Sequence, residues 1–206
     1  MEKLRYRRIA PDSSVINWKA GQGREPIVQK DPEKRREYQA IEKLFELQDQ
    51  GQIVLVAVDQ VDKEINRTND EAKREKLIKT LALCKEKHYL TRFETHTLSK
   101  RASKAKGKVG INLGNGAYFV TESDIRKIEE YVALGTNPEE QTDLEIVATA
   151  AIAEVKVVVF VDVPLLGNEK IKDFAKQKDD IQICTPTQVI KLLSQDNFGL
   201  PPISHD

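Results

Sequence analysis

The sequence predicts an α/β fold, a three-layer α/β/α sandwich around a central parallel sheet. Two observations predict it. The runs "IVLVAV" (53–58) and "VKVVVFVD" (155–162) are nearly unbroken in β-branched and apolar residues, the pattern of strands covered on both faces. Amphipathic helical stretches alternate with those runs along the chain, and alternation of this kind builds parallel sheets with helices on both sides.

Each element follows from its residues. "RIAPD" (8–12) reads as a short first strand with an acid at its end. From Pro32 to about Gln50, Tyr38, Ile41, Leu44, Phe45 and Gln48 recur at helical spacing among charges. "IVLVAV" follows Gly51. A second helix is expected from about Thr68 to Glu86, with Leu77, Ile78, Leu81 and Cys84 as its stripe. Ser123 reads as the N-cap of a helix carrying Ile125, Ile128, Tyr131 and Val132, with Gly135 as its stop. Asp143 is expected to start the helix of Val147, Ala148, Ala151 and Ile152 that leads into "VKVVVFVD". Ile171, Phe174 and Ala175 mark a short helix before the strand "IQIC" (181–184). Thr185 and Pro186 then form a cap and first-turn pair for a last helix holding Val189, Ile190, Leu192 and Leu193.

Residues 88–122 break this rhythm and read as a basic insertion, a loop or hairpin within one domain of 206 residues. Lys100, Arg101, Lys104, Lys106 and Lys108 stand in it, with no acid between Thr95 and Thr121. It is either a phosphate-binding segment or a solvated loop. The tail 194–206 reads as irregular.

Composition excludes little. Lys plus Arg and Asp plus Glu both number 33, so net charge selects neither an acidic nor a basic partner. No window approaches the ~20 apolar residues of a membrane span, and the basic N-terminus has no apolar core of a secretory signal. The two cysteines, Cys84 and Cys184, have no CxxC partner and sit in apolar patterns, so both are expected to be buried thiols. A cytoplasmic protein without membrane contact is the expectation.

The acids carry the functional signal. In a parallel α/β sheet, ligands bind beyond the carboxyl ends of the strands. Asp12 and Asp162 end strands, Asp143 stands near the start of a helix returning to that edge, and Glu64 follows "IVLVAV" by one to two turns. Singly, each has a plain explanation: a turn residue, a helix cap, a solvated charge beside Asp59 and Asp62. Jointly they form four carboxylates from four regions. Two like charges at ~4 Å repel by about 4 kcal/mol at an effective dielectric of 20. Such a cluster needs a divalent cation or must take up protons. Oxygen-only ligands favour Mg²⁺ or Mn²⁺.

These residues resemble the PIN-domain nucleases. "PDSSVI" resembles that family's opening, a strand-end acid with a hydroxyl residue two positions on, here Asp12 and Ser14. "VAVDQVDKEI" is similar to its second motif, with Glu64. "TDLEIVATAAIAEVKVVVFVD" resembles its Asp, Ala-rich helix, strand and final Asp. Phe160 stands where the family usually carries Ser or Thr.

The resemblance implies a PIN-like domain and a divalent-metal-dependent endoribonuclease cutting single-stranded RNA, in RNA processing or as a toxin. Asp12, Glu64, Asp143 and Asp162 would hold Mg²⁺ or Mn²⁺, Ser14 would orient Asp12, and the Lys100–Lys108 run would bind RNA. An antitoxin-like inhibitor and a homodimer are the protein partners open to it. The first alternative is a catalytically weak or inactive PIN-like module that binds RNA or protein. The second is an unrelated doubly wound nucleotide-binding or receiver-like domain, against which stands the absence of any GxGxxG or GxxxxGK[ST] motif.

Overall fold

A computed structural model describes residues 7–91, 117–161 and 163–195. Among these residues six strands form one sheet in the order β4-β3-β2-β1-β5-β6, and every neighbouring pair is parallel. They are β1 (Arg8–Pro11), β2 (Val54–Val58), β3 (Glu86–Thr91), β4 (Ala117–Phe119), β5 (Val157–Val159) and β6 (Gln182–Cys184). The helices are α1 (Ser13–Ala20), α2 (Pro26–Lys30), α3 (Pro32–Asp49), α4 (Asp59–Asn66), α5 (Glu71–Leu81), α6 (Glu122–Val132), α7 (Pro138–Ile152), α8 (Glu169–Asp179) and α9 (Pro186–Gln195). The expected three-layer sandwich is the architecture found.

Two groups of helices flank the sheet. One joins α3 to α9, α1 and β2, with α1 against α5. The other joins α6 to α7, α7 to β2 and β5, and α8 to β6. Helix α4 touches both groups, through α1 and α5 on one side and α7 on the other. The core is continuous, from Ile9 and Ala10 through Leu55–Val58 to Val157–Phe160, all buried. Gln48 is a buried polar joint within it. Its Oε1 accepts the N–H groups of Leu55 and Lys85, both at 3.0 Å, and its Nε2 donates to the Leu83 carbonyl at 2.9 Å. One amide thereby ties α3 to β2 and to the approach to β3.

Several boundaries differ from the sequence expectation. The helix expected over 68–86 is confined to Glu71–Leu81, and Glu86–Thr91 forms a strand instead. Ile78 is 42% exposed, outside the buried stripe of Leu77, Leu81 and Cys84. Residues at both ends of the expected insertion, 88–91 and 117–119, belong to β3 and β4, which are parallel and so are not a hairpin. The N-cap before α6 is Thr121, not Ser123: the Thr121 hydroxyl accepts the Asp124 N–H while the Asp124 carboxylate accepts the Thr121 N–H. Asp143 does not start its helix; α7 begins at Pro138, capped by the Asn137 side chain. Of the tail, 194–195 end α9, and 196–206 lie outside the described residues. Cys84 and Cys184 are free and buried, as expected. Among the described residues no helix is long and apolar enough to cross a membrane.

Candidate active site

Strand β1 delivers Asp12 to the carboxyl edge, where its N–H donates to the Val159 carbonyl of β5 at 2.9 Å. With extended backbone angles it caps α1, and its Oδ2 accepts the Ser14 N–H at 2.9 Å. The Ser14 Oγ accepts the Val161 N–H at 3.0 Å, so this hydroxyl stitches the end of β1 to the end of β5. Asp12 is 1% exposed, and its Oδ1 has no hydrogen-bond partner among the described residues. A cap needs only one oxygen. An unmet buried acceptor costs about 1–3 kcal/mol, and more when charged. The second oxygen is therefore spare, and it wants a proton or a cation.

A cleft of about 320 Å³ opens beside it, lined by Asp12, Ser13, Ser14, Asn17, Glu64, Ile65, Thr68, Lys73, Leu77, Asp143 and Val163. Three of the four predicted acids thus meet in one cleft. Each comes from a different element: the β1 end, the second turn of α4 and the second turn of α7. Helix α4 starts directly after β2, and α7 runs back toward β5, which brings both acids to this edge. Asp162 and the basic residues Lys100, Arg101, Lys104, Lys106 and Lys108 lie outside the described residues.

The electrostatics are those of unmet negative charge. Burial raises the Asp12 pKa above the ordinary carboxylate value, against the hydrogen bonds of Ser14 and Ser13. Burial pushes Glu64 up to about 7; the Ser13 hydrogen bond opposes the rise and the charge of Asp12 adds to it. Asp143 is pushed up to about 7, first by burial and then by the charges of Asp12 and Glu64. Three acids that hinder one another's ionisation can share protons or a divalent ion. Asp12 Oδ1, Glu64 and Asp143 supply the hard oxygen donors that Mg²⁺ and Mn²⁺ prefer. Among the described residues, however, no three His, Cys, Asp or Glu side chains already stand in the geometry of a formed metal site.

Sequence reasoning named the acids and Ser14 but missed Ser13, Asn17, Thr68 and Lys73. Reading Asp12-Ser13-Ser14 as a helix start would have placed Asn17 one turn from Ser13, on the same side of α1. Thr68 and Lys73 reach the cleft only through the turn between α4 and α5, which has no signal of its own. No protein-family model, no curated protein and no solved structure matches this chain.

Proposed function

We propose that the protein is a divalent-metal-dependent phosphodiesterase acting on single-stranded RNA. The observation that supports it most is the buried, unpartnered Oδ1 of Asp12 in a cleft shared with Glu64 and Asp143. Position agrees with it: the cleft lies at the carboxyl edge of a parallel sheet, where such folds bind ligands. The PIN-like order of Asp12, Ser14, Glu64 and Asp143 in the sequence supports it further. A bound Mg²⁺ or Mn²⁺ would supply an activated water and charge stabilisation at the phosphate. Asp12, Glu64 and Asp143 would hold it, with Asp162 as the fourth acid of the resemblance. The chain's own part is to fix the Asp12 carboxylate through the Ser14 N–H to Oδ2, leaving Oδ1 without a partner among the described residues.

The test is cleavage of single-stranded RNA with Mg²⁺ or Mn²⁺ and with EDTA. Wild type is expected to cut only with the ion. Asp12→Asn and Asp143→Asn are each expected to lower the rate at least a hundredfold while melting cooperatively. Wild-type rates in both variants would refute the reading.

One observation favours a second reading, a metal-poor binding module: the described acids do not form a ready-made ion site. Failure to bind Mn²⁺ in calorimetry, together with RNA binding that ignores EDTA, would select it.

A further inference from the structure

The cleft has a second side that the acids do not explain. Among the described residues, Lys73 is the only Lys or Arg in its lining. Of the neighbouring cations, Lys63 pairs with Asp59, Arg74 with Glu71 and Lys79 with Glu75, while the charge of Arg67 acts on Glu64. Lys73 makes no ion pair among the described residues, although three carboxylates line the same cleft. Its own N–H donates to the Asp70 Oδ1 that caps α5, which fixes Lys73 in the first turn of that helix. A helix N-terminus is already positive through its free N–H groups, so a cation is disfavoured there and an anion favoured. Independently, Asp12 Oδ1 is buried and unpartnered in the same cleft. The cleft therefore wants a cation at Asp12 and offers another, on Lys73, with no ion pair among the described residues. A phosphate ester arriving with a divalent ion satisfies both. Ile65 and Leu77 give the same cleft apolar wall for a base or ribose.

We propose that Lys73 receives a backbone phosphate of the bound strand in the cleft it shares with Asp12, Glu64 and Asp143. This rests on the metal-dependent phosphodiesterase reading and adds the group that holds the substrate in it. Lys73 binds the strand; it does not hold the ion. Loss of its charge is therefore expected to weaken the strand and spare the metal.

The experiment uses the full chain as wild type, Lys73→Gln and Lys73→Arg. Affinity for a 2′-O-methyl RNA pentanucleotide, verified to stay intact during the measurement, is measured with Mn²⁺ across a salt series; Mn²⁺ affinity is measured separately without RNA. Lys73→Gln is expected to bind the pentanucleotide about tenfold more weakly. The slope of log affinity against log salt should be shallower by about 0.7, one phosphate contact on a single strand. Its Mn²⁺ affinity should be unchanged or tighter, and Lys73→Arg should restore strand binding. Equal strand affinity and slope in wild type and Lys73→Gln overturns the proposal, as does a wild type that does not bind the pentanucleotide. A parallel loss of Mn²⁺ affinity overturns it too. A wild type that binds through Lys73 but cuts no RNA sinks the nuclease reading and leaves the phosphate site standing. RNA cutting with strand binding indifferent to Lys73 does the reverse.

Discussion

Removing divalent ions and raising the pH should destabilise this protein, and Asp143→Asn should blunt the effect. The sign follows from proton counting. Glu64 and Asp143 are held at about 7 in the folded chain against ordinary values of 4.5 and 3.8. Between about pH 4 and 7 the folded state therefore binds more protons than the unfolded one, and stability falls as pH rises through that window. Counted in full at about 1.4 kcal/mol per tenfold change, the two groups would cost roughly 3 and 4 kcal/mol by pH 8. Both are partly open to water, so screening should leave about half, roughly 3–4 kcal/mol together. Roughly 2.5–3 kcal/mol of this falls between pH 5 and pH 8, so at ~2–4 °C per kcal/mol apo wild type should melt about 5–12 °C lower at pH 8 than at pH 5. His88 acts in the opposite direction. Burial, and after it the charge of Arg8, depress its pKa, so its contribution rises with pH. That part is common to wild type and variant, and their difference isolates the carboxylates. Asp143→Asn removes its own share and one neighbour of Glu64, so its advantage over wild type should grow to about 2 kcal/mol at pH 8. The assay is thermal and urea unfolding by circular dichroism in EDTA, with Mn²⁺ then restoring wild type at pH 8 by binding the folded state alone. A difference between the two proteins that does not change with pH would refute the reasoning.

Two further outcomes concern the scaffold. Gln48→Leu should cost about 2–4 kcal/mol in urea unfolding with an unchanged slope, because the N–H groups of Leu55 and Lys85 lose their acceptor. Gly23→Ala should cost about 1–3 kcal/mol, read as a lower melting temperature, since an added Cβ would lie 2.1 Å from the Tyr38 ring.

Most of the fold was legible because burial on both faces leaves a plain mark. "IVLVAV" and "VKVVVFVD" could be little other than inner strands, and β2 and β5 lie inside the sheet. β3 left no such mark. Glu86 and Lys87 make its start look like the end of a helix, and pairing with β2, with Arg8 against Glu86 at 2.7 Å, decides otherwise. The true start of α7 was written in "TNPEE", a cap followed by Pro and acids, but a polar run after Gly135 also reads as a linker. Asp12 was legible because an acid at a strand end has few uses; Glu64 and Asp143, each in the second turn of a helix, were legible only through their order in the PIN-like pattern. Asn17, Thr68 and Lys73 were not, because their meeting depends on how α1, α4 and α5 pack.

The two outermost strands are three residues each, β4 at one margin of the sheet and β6 at the other. A strand that short runs only about 10 Å and offers a neighbour a few unpaired backbone groups. Among the described residues, two copies of this chain therefore have no long open border along which to join their sheets into one, the route by which exposed strands seed fibres. Among the described residues, encounters between copies fall instead to helix surfaces, where exposed large apolar side chains are few, Ile27 on α2 and Ile78 on α5 among them.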